Sequence, residues 1–110
     1  MYAIEVRERG AATLVALRGE LDLFALDGLR RTLDAVANLR GPAVVDLAGV
    51  TFLDLLSARE LAVRSNLYRL ALQAPSAAVV ASIEAAGLGD WVRFRPDADW
   101  NGPQIFSGVY

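Results

Sequence analysis

The side chains that most often perform chemistry in proteins are scarce in this chain. Its 110 residues include neither histidine nor cysteine, which removes the commonest general base, the commonest metal ligand and all thiol chemistry. The motifs GxxxxGK(S/T), GxGxxG and GxSxG, which mark phosphate-binding loops and serine nucleophiles, do not occur. The sequence therefore predicts a protein that is not an enzyme and that needs no cofactor or metal.

Two further groups of residues are of types that can bind phosphate or a metal ion, and both are better explained structurally. Gly87 and Gly89 follow a predicted helix, whereas a phosphate-binding loop precedes one. Asp97 and Asp99 lie two residues apart, but they supply too few oxygen ligands for a calcium site. We interpret the glycines as a helix stop and the acidic pair as part of a solvated loop.

The most unusual local pattern is VTFLDLLSARELA, residues 50–62, in which an aspartate ends a strand-like run and a helix begins. Polar side chains are usual at such a start, because the first helical N–H groups have no intrahelical partner. Asp54 fits a helix N-cap, but two leucines, Leu55 and Leu56, follow it. Ser57 has a hydroxyl group in the first turn, where serine typically caps the helix or faces solvent.

The two leucines have more than one interpretation. As exposed side chains they would form an apolar contact that is always available to a partner protein, and burying one of them could contribute about 1.5–3 kcal/mol. Alternatively, Leu56 points into the core, and Leu55 is covered by the aromatic residues near the end of the chain.

The composition of the chain predicts one small globular domain. Apolar residues make up 55% of the sequence and charged residues 22%, which is typical of a folded protein. A net charge of −2 argues against non-specific binding to nucleic acid. No window approaches the roughly 18 apolar residues of a membrane span, and residues 1–10 lack the features of a signal peptide. We therefore expect a cytoplasmic protein with no direct membrane insertion.

Hydrophobic periodicity predicts the order β-β-α-β-α-β-α followed by a tail. The predicted strands are 2–9, 12–18, 43–48 and 67–73, and the predicted helices are 25–38, 55–66 and 76–87. Gly10 is expected to form the turn of the first hairpin, and residues 91–94 form either a short strand or an irregular segment. With right-handed crossovers this order gives a mixed sheet with helices packed on one face.

The last part of the chain has no clear periodicity. We therefore divide the sequence into a domain over 1–94 and a tail over 95–110. The tail contains Trp100, Phe106 and Tyr110, and an unstructured segment rarely keeps three aromatic residues. We expect the tail to pack on the domain or on a partner.

Three sequence fragments resemble the STAS domain family, the bacterial anti-sigma factor antagonists and their relatives. They are GELD (19–22), AVVDLAGVTFLD (43–54) and SIEAAGLGDWVRF (82–94). The resemblance covers about residues 1–94 and implies a STAS-like α/β fold.

The resemblance also implies where the family's regulatory residue would lie. The family's usual pattern is Asp-Ser-Ser-Gly, and a cognate anti-sigma factor kinase phosphorylates the first serine. The matching positions here are Asp54, Leu55, Leu56 and Ser57. A phosphate at a helix start is held by free N–H groups and the helix dipole, but leucine has no hydroxyl group to carry it. We expect no phosphorylation at the usual site, and Ser57 is the remaining candidate.

The function implied by the resemblance is non-enzymatic regulation of transcription, as in bacterial stress responses. Such a protein binds an anti-sigma factor of the serine kinase type and frees a sigma factor. The expected partner surface combines the GELD loop, the loop 49–53 and the next helix start. Its candidate residues are Glu20, Asp22, Thr51, Asp54, Leu55, Leu56 and Ser57. Asp22 and Asp54 also fit helix N-caps, and Glu20 also fits a solvated charge.

The same resemblance implies an alternative, an accessory subunit of a transporter or of a stress-sensing scaffold complex. The leucines and the aromatic tail would then belong to an obligate interface. An exposed apolar patch, formation of a homodimer, or co-purification with a membrane-bound partner would be expected. Nucleotide sensing, a third possibility in this family, has no specific support in the sequence.

Overall fold

The computed structural model describes residues 1–9, 11–39 and 41–95, which form a five-stranded sheet and three α-helices. In chain order the elements are β1 (Tyr2–Arg9), β2 (Ala12–Leu21), α1 (Leu23–Ala37), β3 (Ala43–Leu53), α2 (Leu55–Tyr68), β4 (Ala71–Gln73), α3 (Ala77–Ala85), a 3₁₀ turn (Gly89–Trp91) and β5 (Phe94–Arg95). The predicted α/β class and the order β-β-α-β-α-β-α are confirmed. The predicted turn at Gly10 lies outside the described residues.

The strand order in space, β1-β2-β3-β4-β5, follows the order in the chain. β1 and β2 form the predicted antiparallel hairpin, and the later neighbours are parallel. Near their carboxyl ends, Glu20 and Leu21 of β2 pair with Phe52 and Leu53 of β3. Because α1 follows β2 and α2 follows β3, the two helices start at the same edge of the sheet.

The main core lies between the helices and one face of the sheet. Alternate strand residues point toward the helices, and each helix contributes buried side chains from its inner face. Members of this core include Val15, Leu17, Val45, Leu47, Leu29, Leu33, Leu61, Val79 and Ile83. All three helices share this core, which confirms the prediction that they pack on one face.

A smaller apolar cluster is separate from the main core. It consists of Ala12, Leu14 and Val44, with Ala71 packed against it. Leu14 and Val44 are almost fully buried, and their strand positions alternate with those of Val15 and Val45, so they face away from the helices. In the described part of the chain only strand residues contribute to this cluster. The predicted packing of the tail falls almost entirely outside the described residues, which end at Arg95.

Two strands are longer than predicted, and this changes the nature of the expected loops. β2 continues through Leu21 and β3 through Leu53. Most of GELD (19–22) and all of 49–53 are therefore strand and not loop. Each extension supplies the hydrogen-bonding partner of the other, because β2 and β3 are parallel neighbours over this stretch.

The predicted strand over 67–73 is mostly wrong. α2 continues to Tyr68, and β4 comprises only Ala71–Gln73. The helix ends at Arg69, which adopts a left-handed conformation with φ 57° and ψ 40°. The run LYRLALQ thus joins the last helical turn to a short strand, and periodicity cannot separate the two in so short an apolar stretch.

The predicted helix signals are confirmed with small shifts. α1 starts at Leu23, two residues earlier than predicted, because Asp22 caps it. Ser76 caps α3 by accepting a hydrogen bond from the Val79 N–H. Gly87 follows the end of α3 with φ 70°, a conformation that glycine adopts without strain. Of residues 91–94, Phe94 lies in a short strand, β5.

Candidate partner-binding surface

The starts of α1 and α2 are held side by side where β2 and β3 end. The Asp54 N–H donates to the Leu21 carbonyl oxygen at 3.1 Å. The Ser57 hydroxyl group lies 3.5 Å from the Asp22 carbonyl oxygen, to which it donates a long hydrogen bond. These contacts join the two strand–helix junctions, so residues just after both junctions share one end of the molecule.

Asp22 and Asp54 are the N-caps of the two helices. The Asp22 carboxylate accepts from the Phe24 N–H at 3.0 Å, and the Asp54 carboxylate accepts from the Ser57 N–H at 2.7 Å. Each bond satisfies a helical donor that has no partner within the helix, and a negative charge also complements the helix dipole there. The N-cap interpretation of both aspartates therefore holds, whatever further role they have.

Leu55 and Leu56 are exposed to solvent. Leu55 is 58% exposed and Leu56 is 53% exposed. The alternative in which Leu56 points into the core is therefore wrong. The alternative in which the aromatic tail covers Leu55 concerns residues that lie outside the described part of the chain. The physical reason is the cap geometry, which turns Ser57 and Ala58 toward the core and leaves the first two helical positions outside.

Further apolar side chains lie at the same end, and the sequence analysis missed them. Leu23 and Phe24 occupy the first two positions of α1 and are strongly exposed, Phe24 to 85%. We call Leu23, Phe24, Leu55 and Leu56 the apolar patch. A signal for the whole patch was present in the sequence, since an N-cap aspartate followed by two large apolar residues occurs twice.

The remaining predicted site residues differ in accessibility. Glu20 and Thr51 are exposed near the ends of their strands, and the Glu20 carboxylate lies 3.9 Å from the N-terminal ammonium group. Ser57 is fully buried, and its hydroxyl group lies at the contact between the two strand–helix junctions. Phe52, also missed from the sequence, is half exposed beside Thr51.

Acidic side chains outnumber basic groups at the helix starts, where the N-terminal ammonium group and Arg59 also lie. The carboxylates of Glu20, Asp22 and Asp54 all come from the last strand residues or the capping positions beside the patch. This arrangement suits a partner surface with an apolar centre and basic residues around it, because exposed charges guide orientation more than they add affinity.

A polar network fixes α1 against α2 and so fixes the two helix starts. The Asp34 carboxylate accepts from the Tyr68 hydroxyl at 2.6 Å and from Arg64 Nε at 3.0 Å. Arg64 also pairs with Glu60, which accepts from Arg30 at 2.9 Å. The hydrogen bonds from Tyr68 and then Arg64 lower the pKa of Asp34, and the bond to Asp34 raises the pKa of Tyr68.

The described residues contain neither a cluster of metal-binding side chains nor a membrane-spanning helix. In residues 1–9, 11–39 and 41–95, no three acidic side chains are close enough to hold a metal ion. None of the helices in that part of the chain is long and apolar enough to cross a bilayer. The acidic pair Asp97 and Asp99 lies outside the described residues.

The chain matches a family model described as "Mlab, STAS domain" over residues 4–95. No curated protein matches the sequence at a significant level. The match covers every strand and helix named above, apart from the first two residues of β1, and it includes both helix starts.

Several solved structures have the same fold. The crystal structure of an anti-sigma factor antagonist from Mycobacterium paratuberculosis has a TM-score of 0.75 and 22% identity, covering 96% of this chain and 94% of that one. The unphosphorylated anti-sigma factor antagonist SpoIIAA has a TM-score of 0.67 and 19% identity, covering 90% and 93%. A form of RsbS from Moorella thermoacetica has a TM-score of 0.63 and 18% identity, covering 89% and 92%.

Proposed function

The chain belongs to the STAS domain family, and from this membership we propose that it is a non-enzymatic anti-sigma factor antagonist. It binds an anti-sigma factor in the bacterial cytoplasm and so frees a sigma factor for transcription. Two of the structures that share its fold are named as anti-sigma factor antagonists, which supports this choice within the family.

The observation that carries the proposal is the apolar patch at the paired helix starts. Leu55 and Leu56 are more than half exposed and match the two serines of the family's Asp-Ser-Ser-Gly pattern, of which the first is the regulatory one. Clustered exposed apolar side chains are unfavourable in water and typically mark a protein interface. The patch therefore has a use when a partner covers it, and the acidic residues around it would select a partner with a basic border.

The patch also determines how binding is regulated. Leu55 has no hydroxyl group, and the Ser57 hydroxyl is buried. A phosphoryl group adds close to two negative charges to a docking surface, and neither position can accept one in the folded protein. We therefore propose that binding is constitutive and that its extent follows the amount of protein present.

The first prediction concerns phosphorylation. Incubation of the folded protein with its cognate anti-sigma factor kinase and ATP should add no phosphate, as measured by intact-protein mass spectrometry. Thr51 has an exposed hydroxyl group near the end of β3, so peptide mapping should include it as well as Ser57. Stoichiometric phosphate on either residue would contradict the proposal that partner binding depends only on the amount of this protein.

The second prediction tests the contact directly. The double variant Leu55→Ala and Leu56→Ala should weaken binding of the anti-sigma factor at least about tenfold, since each leucine loses apolar area worth more than about 1 kcal/mol. Its melting temperature should stay nearly unchanged, because both side chains are already largely in water. Affinity can be measured by calorimetry with the partner recovered from native cell extract.

A matched control is available at the other end of the same helix. Leu67 is 68% exposed, so Leu67→Ala removes a similar side chain far from the patch and should leave affinity intact. A large loss of stability in the double variant, with affinity unchanged, would contradict the proposal, because the leucines would then be structural.

A second candidate function is an accessory subunit of a larger assembly. The strong exposure of Phe24 beside Leu23 favours it, because a broad apolar surface suits a permanent interface. Light scattering with size-exclusion chromatography separates the two functions. A monomer at all concentrations supports the antagonist, whereas a dimer or co-purification with a membrane-bound partner supports the assembly.

A further inference from the structure

An open cleft lies at the opposite end of α2, between its last turn and the 3₁₀ turn Gly89–Trp91. Its volume is about 380 Å³. Residues of both elements and of the segments that follow them line it, including Ser65, Asn66, Arg69, Asp90, Trp91 and Arg93. Since α2 has 14 residues, it is about 20 Å long. The cleft is therefore well separated from the apolar patch.

Two arginines of the cleft have no acidic partner in the described part of the chain. Arg69 and Arg93 are exposed, and the ion pairs among the described residues use other arginines. Asp90 is the one acidic residue lining the cleft, so the cleft has an excess of positive charge. Guanidinium groups bind carboxylates and phosphates through paired hydrogen bonds, which makes an anion the natural ligand.

The backbone of Arg69 gives independent support. Its φ of 57° and ψ of 40° lie in the left-handed region that favours glycine or asparagine at a helix end. The hydrogen bonds that end α2 are main-chain bonds, from the N–H groups of Arg69 and Leu70, so they require no arginine side chain. An arginine that occupies this unfavourable conformation indicates a use for its guanidinium group.

The helix dipole explains only part of this charge. A cation near the carboxyl end of a helix is favourable by less than about 1 kcal/mol at an exposed site. That effect accounts for one guanidinium group at the end of α2. It does not account for Arg93, which comes from the segment after the 3₁₀ turn.

The other walls of the cleft are suited to a ring and to a polar group. Trp91 is half exposed, and its carbonyl oxygen accepts from Asn66 Nδ2 at 3.3 Å, which holds the 3₁₀ turn against α2. Ser65 is only 3% exposed, and its hydroxyl group has no hydrogen-bond partner in the described residues. Buried hydroxyl groups normally have a partner, so an acceptor oxygen at the floor of the cleft would remove this cost.

We propose that the cleft binds a small planar organic anion, an aromatic carboxylate or aryl phosphate, between Arg69, Arg93 and Trp91. The charged group takes the two guanidinium groups, and the ring packs on the indole face. The volume lies within the range of about 300–1,000 Å³ typical of small-molecule sites.

The test is a titration of the full chain with benzoate, phenyl phosphate and inorganic phosphate, followed by NMR at the Trp91 indole N–H. Benzoate or phenyl phosphate should shift this signal saturably, and inorganic phosphate should bind more weakly because it has no ring. Comparison of the two aromatic probes identifies which charged group the arginines prefer.

The variants separate ligand binding from folding. Arg69→Gly should weaken binding at least about tenfold, the usual scale for losing hydrogen bonds to a charged group. Its melting temperature should stay the same or rise, because glycine adopts the left-handed conformation without strain. Arg93→Ala should weaken binding similarly, while Arg59→Ala, which removes an exposed arginine near the start of α2, should not.

Three results would each overturn the site. They are the absence of a saturable shift with all three probes, an equal loss of binding in Arg59→Ala, and inorganic phosphate binding as tightly as the aromatic probes. None of these outcomes bears on the apolar patch, so failure here leaves the proposed partner contact to be judged by its own variants.

Discussion

The Asp54 carboxylate is both a hydrogen-bond acceptor and a negative charge. Substitution with asparagine removes the charge and keeps the acceptor, so the two effects can be measured separately. Asparagine caps a helix about as well as aspartate, whereas alanine does not cap it. Asp54→Asn should therefore leave the free energy of unfolding nearly unchanged, and Asp54→Ala should lower it by about 1 kcal/mol. Urea unfolding of the two variants measures the cap, and partner affinity of Asp54→Asn measures the charge.

The outcome of this comparison assigns Asp54 its role. If Asp54→Asn is as unstable as Asp54→Ala, the charge and not the hydrogen bond to Ser57 holds the turn. If Asp54→Asn is stable but binds the partner poorly, the carboxylate belongs to the interface as well as to the cap.

At the scale of residues, the sequence was informative where one side chain and its neighbours decide the outcome. The caps at Asp54 and Ser76 follow from local hydrogen bonding and were predicted. The burial of Ser57 was not predictable, because it depends on the contact between the two helix starts. Leu23 and Phe24 were missed for a different reason, since the helix predicted over 25–38 begins after them, whereas α1 begins at Leu23.

At the scale of elements, the polar network between α1 and α2 makes stability depend on pH. The folded-state pKa of Asp34 is lowered, so its contribution is present above about pH 4, the ordinary aspartate pKa, and is lost as pH falls through the folded value. The pKa of Tyr68 is raised, so its contribution is complete below about pH 10 and is lost as pH rises through the folded value.

Tyr68→Phe tests this network. The variant removes the hydroxyl group that donates to Asp34 and should move the pKa of Asp34 upward, toward the ordinary value. Carbon-detected NMR titration of the Asp34 carboxyl group measures the change. An unchanged pKa would mean that Arg64 alone holds the carboxylate in its charged form.

Element boundaries were less predictable than element types. The end of a strand depends on whether a neighbour continues beside it, and β2 and β3 extend together to Leu21 and Leu53. That pairing is non-local, so alternation within either segment does not reveal it. The end of α2 was likewise hidden, because Arg69 is not a usual residue for the left-handed position that stops the helix.

At the scale of the whole molecule, the apolar cluster on the face opposite the helices is one surface on which the tail could pack. Leu14 and Val44 are almost fully buried there, and strand side chains alone form the cluster in the described residues. The packing of residues 95–110 on the domain or on a partner stays a prediction. A tail that packs on this face would place its aromatic residues beside Leu14 and Val44.

A shortened chain ending at Arg95 distinguishes the two locations of the tail. If the tail packs on the domain, removing it should lower the free energy of unfolding by about 2 kcal/mol or more, since one buried aliphatic side chain contributes about that much. Binding of the dye ANS should rise at the same time. Unchanged stability with weaker partner binding would place the tail at the interface instead.

The leucine at position 55 determines the form of the cellular response under the proposed function. A surface that no kinase can neutralise acts as a titrant, in which each new copy sequesters one copy of its target. Little sigma factor is released until the copies have bound the part of the target that is in excess over sigma factor. Release then rises steeply, more so when the target concentration far exceeds Kd. The response then depends on the ratio between the synthesis rates of this protein and of its target. Ending the response requires dilution or proteolysis of this protein.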